Sequence, residues 1–191
     1  MIRAIALLAL LSTAAGAATE PRLYVVVAGR SQVMFDASYP LGDFSGATED
    51  VTGEVRVDPA NIPQGITASV TVNPARFKTG IDGRDRDLRK SLEVDKYPEI
   101  RFRVEEVRAS FPSVAERVDV TLTITGIMLL HGVERAKTWT GRARVEEGKL
   151  WVRGEAELKL TDFGISPPKK FFLAVGDAVR VSFDLRLAPK E

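Results

Sequence analysis

The run near the end of the chain, VRVSFDLRL, alternates without a break: Val179, Val181, Phe183, Leu185 and Leu187 fall on one side, Arg180, Ser182, Asp184 and Arg186 on the other. Side chains of a strand point alternately to its two faces, so this segment reads as a strand with one dry face and one wet one. The pattern recurs along the chain. Leu150, Val152, Ala156, Leu158 and Leu160 oppose Trp151, Arg153, Glu155, Glu157 and Lys159, and Val118, Val120, Leu122 and Ile124 oppose Asp119, Thr121 and Thr123. Ile100, Phe102 and Val104 alternate with Arg101 and Arg103, and Ala68, Val70 and Val72 with Thr67, Ser69 and Thr71. Val33 to Ala37, Val51 to Val57 and Glu134 to Val145 carry the alternation more weakly. Gly, Pro, Asn and Asp separate the runs at intervals of roughly 8 to 15 residues, as in antiparallel strands joined by turns.

One segment alone reads as a helix. In GIDGRDRDLRKSLEVDKYP, Asp82 is placed to cap the N-terminus, Leu88 and Leu92 share a face, and Pro98 forbids continuation. Asp85 with Arg89 and Asp87 with Lys90 are spaced to pair on the exposed side. So charged a helix covers an end of a sheet but supplies no second packing layer. About eight strands, each with one dry face and no helical layer to cover it, must then bury those faces against one another. The expected fold is all-β: an antiparallel eight-stranded barrel with one short helix over an end, a two-sheet sandwich being the structural alternative.

Residues 1–18 stand apart from this pattern. Arg3 gives a short positive start, Ala4 to Leu11 is uninterruptedly apolar, and STAAGAA offers small residues at the spacing a signal peptidase reads. The apolar run is too short for a membrane span, which needs about 20 residues. The expectation is a cleaved secretory signal peptide over 1–18, one domain over 19–191, and a periplasmic or secreted location.

Composition then narrows the chemistry. With 27 Lys and Arg against 26 Asp and Glu the chain offers no bulk charge for nucleic acid. The absence of Cys removes disulfides, thiolate nucleophiles, Cys-ligated metals and the lipid-accepting Cys of a bacterial lipoprotein. A serine triad would have to use His131, the one His, which lies in LLHGVER and reads most simply as a turn residue. Glu146 and Glu147 lie beside Gly148 in a hairpin turn, and no metal-binding motif is present. No catalytic residue, metal ligand or cofactor is singled out. An eight-stranded barrel has an interior that side chains either just fill or leave open for one small ligand. The inward set of Val70, Val72, Val104, Val120, Val152, Ala156 and Val181 with Phe102 and Phe183 fits a dry core as well as an apolar cavity.

Five motifs decide more than composition does. SQVMFDASY, GDFSG leading into TGEVRVDP, KTGIDGRDRDLRKS followed by KYPEIRF, ITGIMLLHGVERAKTW, and LTDFGIS with VGDAVRVSFDL occur in this order across most of the chain. In them the chain resembles the YceI family of periplasmic, lipocalin-like, polyisoprenoid-binding barrels. Arg84, Asp85, Leu88 and Arg89 fall on that family's RD-x-x-LR segment, Tyr97 and Pro98 on its YP, and Asp162, Phe163 and Gly164 on its DFG. The chain departs from the pattern at Asp87, where His is usual, in SLEVD, which lacks an aromatic residue, at Ile127 to Leu130, usually more polar, and at Glu134, where Thr is common.

The resemblance implies a non-enzymatic carrier or sequestering protein with an isoprenoid or fatty-acyl chain inside the barrel. It assigns tail contacts to Phe102, Leu122, Leu158 and Phe183, and head-group attraction to Arg84 and Arg89 beside the helix start at Asp82 and Gly83. Nucleic acid and stable membrane insertion are not expected, although SPPKKFFLAVG is a basic-aromatic segment suited to touching lipid, and a homodimer is compatible with the reading. The alternative is a protein-interaction module with a packed core.

Overall fold

The computed structural model describes residues 20–62, 65–170 and 173–190. The signal-peptide expectation and Phe171 and Phe172 of the basic-aromatic segment lie outside them. The elements in chain order are β1 (Arg22–Val26), β2 (Gln32–Ala37), β3 (Phe44–Thr48), β4 (Val51–Val57), β5 (Thr67–Val72), a 3-10 turn (Pro74–Arg76), α1 (Asp82–Ser91), β6 (Ile100–Ala109), β7 (Val120–Leu130), β8 (Val133–Glu146), β9 (Lys149–Lys159), a second 3-10 turn (Leu160–Phe163), the short β10 (Lys169–Lys170) and β11 (Leu173–Ala174), and β12 (Ala178–Pro189).

The main strands close into an antiparallel barrel. β12 pairs β9 along its length, and its other edge pairs first β2, over Val179 to Asp184, then β1, over Leu187 to Pro189. β1 and β2 are therefore two halves of one course, as are β3 and β4, so the wall has eight courses that follow the chain around the circle. The break between β1 and β2 is stitched by Ser31. Its buried hydroxyl accepts from the Arg186 N–H at 3.0 Å and donates to the Arg186 carbonyl at 3.3 Å, replacing the ladder bonds lost there. Two hairpins turn on the residue pairs His131-Gly132 and Glu147-Gly148, all four with positive φ, the geometry that matches the twist of the flanking strands.

The alternation read from the sequence holds along most courses, and its exceptions have causes. In β6 the inward set changes from Ile100, Phe102 and Val104 to Val107 and Ala109 because a bulge between Val104 and Glu106 inserts one residue. Val118, expected to point inward, is instead 52% exposed and precedes β7. Arg117 before it has φ of 57°, which breaks the extended path and leaves Val118 in a small bridge with Ala115.

The helix also differs from its expectation in two respects. Asp82 is its first residue and not its cap, because the chain enters through Ile81, which caps without a side-chain bond. Asp85 does not pair with Arg89 on the surface; it is buried at 2% exposure, accepting from the Thr79 N–H at 2.8 Å and the Thr79 hydroxyl at 2.7 Å, with Lys78 Nζ 3.6 Å away. Donors within the preceding turn outcompete an exposed partner one helical turn on. The Thr79 hydroxyl bond, aided by the Thr79 N–H and Lys78 and opposed by burial, holds the Asp85 carboxyl below the ordinary aspartate range. Its contribution to stability is full above that range and is lost as pH falls through the lowered folded value. Asp85→Ala strands both Thr79 donors and should cost roughly 1–3 kcal/mol by urea unfolding at neutral pH, with a smaller difference from wild type in acid.

On the outer wall, Trp151 lies under three guanidinium groups, Arg144, Arg186 and Arg153, at 3.2, 4.0 and 4.6 Å from its ring centroid. Its Nε1–H donates to Asp184 at 2.5 Å. The wet face of β9 and β12 is thus a cation-π and ion-pair layer.

Candidate functional site: an apolar cavity inside the barrel

The inward faces do not fill the barrel. They enclose a cavity of about 270 Å³ whose lining comes from the barrel strands together with α1 and both sets of end loops. Small side chains set the bore along β4 to β6, where Val55, Val57, Ala68, Val70, Val72 and Val104 face inward. Aromatic rings enter from β2, β3, β6, β8 and β12 and from Phe77 after the first 3-10 turn.

Glycine makes room for three of those rings. Phe183 lies over its cross-strand partner Gly154, where a Cβ would stand 2.8 Å from the ring tip, and Phe35 lies over its partner Gly46, where a Cβ would stand 2.3 Å from the ring. Gly126 serves Phe102 in the same way from the neighbouring strand, at 2.8 Å. These rings therefore lie along the wall rather than across the bore. Gly154→Val should push the Phe183 ring into the cavity and reduce its ligand capacity, which a crystal structure of the variant and a titration with palmitate would show together.

The two ends are built differently. At the end where β4 leads to β5, the loops carrying Pro59 and Pro112 bond to one another through Ile62 N–H to the Pro112 carbonyl at 2.7 Å and Val114 N–H to the Pro59 carbonyl at 2.9 Å. Ile62 and Val114 plug this end from below. The opposite end is covered by α1, which contributes Leu88, Ser91 and Leu92 to the lining, and by the segment after β9, which contributes Leu160, Ile165, Pro168 and Val175. This cover is tied down by side chains. The His131 ring faces the Phe163 carbonyl through Nδ1 at 3.2 Å and the Glu93 carboxylate through Nε2 at 2.7 Å, and it packs on Tyr97 with centroids 4.4 Å apart. Asp177 accepts from the Thr161 N–H and hydroxyl at 2.9 and 2.8 Å, which lower its pKa.

Phe102, Leu122, Leu158 and Phe183 all line the cavity. Arg84 and Arg89 do not. Arg84 lies 4.5 Å over the ring of Phe44, a lining residue, and so stands at the rim beside the helix start; Arg89 lies in the last turn of α1. The sequence reading did not single out Trp139, the most enclosed aromatic of the lining, 5% exposed and edge-on to Phe102 and Phe183 at 5.8 and 5.4 Å. Nor did it find Phe35, Phe44 or Phe77, which come from the short elements at the covered end. His131 is a turn residue as read, but its side chain is only 13% exposed and both ring nitrogens are engaged. Among the described residues no three His, Asp or Glu side chains gather to hold a metal, and no helix is long and apolar enough to cross a membrane.

The model of the YceI-like domain matches residues 24–187. Among solved structures, BcnA of Burkholderia cenocepacia superposes with a TM-score of 0.73 at 19% identity, covering 84% of this chain and 98% of that one. A polyisoprenoid-binding domain from Saccharophagus degradans, implicated in plant cell wall breakdown, superposes with a TM-score of 0.68 at 17% identity, covering 87% and 98%. The YceI protein of Campylobacter jejuni gives 0.61 at 16% identity, covering 76% and 84%. No curated protein matches the chain. At these identities the solved structures speak for the fold.

Proposed function

The chain belongs to the YceI-like family, and on that premise we propose that it is a non-enzymatic carrier or sequestering protein that holds a long isoprenoid or fatty-acyl chain within its barrel. The observation that carries this reading is the cavity itself. Left unfilled, the apolar lining forfeits the contacts a packed core would make, which carries a free-energy penalty. A hydrocarbon chain removes that penalty and gains about 0.8 kcal/mol for each methylene it buries. The description of the Saccharophagus domain as polyisoprenoid-binding supports the same class of ligand.

Tail contacts belong to Phe102, Leu122, Leu158 and Phe183, all on the lining. The head group lies at the covered end, where Arg84, with Arg89 on the same helix, supplies positive charge. A packed interaction module is disfavoured because such a core leaves no room of this size. Catalysis is disfavoured because His131 is committed to the Phe163 carbonyl and Glu93. With the signal-peptide character of residues 1–18, the protein acts in the periplasm or outside the cell.

The test is equilibrium titration of the lipid-stripped protein with a polyprenyl alcohol and with palmitate, followed through Trp139 emission in a Trp151→Phe background. Saturable binding of either at one chain per protein is expected. Emission unchanged by both, with no bound lipid detected by separation, would refute the carrier reading.

A further inference from the structure

Two residues that tie down the covered end stand where the backbone favours something else. Glu93 follows the cap of α1 in a Schellman turn, its N–H bonding the Lys90 carbonyl at 3.1 Å and the Val94 N–H the Arg89 carbonyl at 3.2 Å. Its φ is 46°, and Gly is the usual occupant of that position. His131 opens the β7–β8 hairpin with φ of 53°, where Asn before Gly is the favoured pair. Each keeps a Cβ in a left-handed conformation that costs it free energy, and the two side chains meet, Nε2 to carboxylate, at 2.7 Å.

This contact depends on protons. Nδ1 faces the Phe163 carbonyl and Nε2 the Glu93 carboxylate, and both partners only accept. A neutral imidazole has one N–H, so it serves one partner and turns a lone pair on the other; the imidazolium serves both. Ordinary carboxyl, phenol and ammonium groups titrate outside the range of about pH 5 to 8 in which an imidazole ordinarily does. Those around this ring are Tyr97, packed on the imidazole, with Lys96 above it, and the exposed Asp162 of the 3-10 turn and Glu134 of β8. Asp85 and Asp177, which brace the same end, are held below the ordinary aspartate range and stay ionised.

We propose that His131 and Glu93 form a proton-operated clasp on the cover of the cavity. The protonated ring holds both the 3-10 turn and the end of α1 to the β7–β8 hairpin and retains the ligand; loss of the proton frees one of them and speeds exchange. For what is exchanged, this rests on the carrier reading above. The two parts so joined carry Leu88 and Leu92 on one side and Leu160 and Ile165 on the other, all on the lining, while Ile62 and Val114 plug the far end.

The test follows transfer of radiolabelled hexadecanol, which does not titrate in this range, from the loaded protein to excess phosphatidylcholine vesicles at about pH 5.5 and about pH 8. Wild-type transfer should be about tenfold faster at the higher pH, the effect of one lost hydrogen bond to a charged partner. His131→Asn, which leaves the favoured Asn-Gly turn, should transfer fast at both, and Glu93→Gln, whose amide accepts from or donates to either form of the ring, slowly at both. Amide exchange of the stripped protein, corrected for the intrinsic effect of pH, needs no ligand: protection of α1 and of Leu160 to Asp177 should fall at the higher pH in the wild type and not change with pH in His131→Asn. A wild type indifferent to pH, or a pH dependence that survives in His131→Asn, would overturn the clasp and leave the carrier reading intact. Hexadecanol that never binds the wild-type protein would count against the carrier reading, and amide exchange would still decide the clasp.

Discussion

Val152→Trp is expected to weaken lipid binding strongly without unfolding the protein. Val152 lines the cavity from β9, between Ala143 of β8 and Leu185 of β12, and its isopropyl group borders open space. An indole there grows into the bore and not into packed neighbours, so the usual strain of an enlarged core residue is small. If it displaces roughly three methylenes of the bound chain, affinity falls by about 2.4 kcal/mol, close to sixtyfold. The unliganded variant should be at least as stable as the unliganded wild type, because a void has been filled. Titration with palmitate and thermal unfolding of both stripped proteins check the two halves. Loss of stability equal to loss of affinity would mean that position 152 is already packed.

Phe163→Ala should be the most damaging single truncation for the covered end. Phe163 is fully buried in the 3-10 turn after β9, packed with Leu158 and Ile165 of the main core, and its carbonyl faces His131. Removing a ring from such a site costs about 3–5 kcal/mol. The effect is expected to be uneven in space. Hydrogen exchange should rise first in the segment from Leu160 to Asp177 and in α1, because His131 links that turn to Glu93 just beyond the helix, while β7 to β9 at the plugged end keep their protection. Uniform loss of protection would show that the cover and the barrel unfold as one unit.

The sequence was legible where one face is wet and the other dry. β5, β6, β7, β9 and β12 are read directly from their alternation, since a one-residue slip would expose every apolar side chain. The halves of the first two courses are less legible because they are short and broken, at Ser31 and around Glu49, and because Gly46 stands where the pattern requires an inward side chain. That Gly is a consequence of the partner, Phe35, which only the register reveals.

β8 hides Trp139 for a related reason. Arg135, Lys137 and Gly141 share its parity, so the strand lacks an apolar face in one dimension; in the fold, Arg135 is exposed near the covered end and Gly141 lies against the Arg153 carbonyl, where a Cβ would stand 2.3 Å away. The burial of Asp85 was likewise invisible, since nothing in the spacing to Thr79 says that a threonine before the helix will outbid Arg89 within it. Tail positions were within reach of sequence because periodicity places residues inside a barrel. Which buried donor is left without a partner, as the Trp139 Nε1 is, was not, because it depends on what fails to approach it.

Native mass spectrometry of the protein purified from its own host, followed by solvent extraction and identification of whatever is released, tests the central claim most directly. The account predicts an adduct of one lipid per chain, isoprenoid or acyl in its tail, that organic solvent removes and the free lipid restores. A bare mass that stays bare after incubation with such lipids would contradict it.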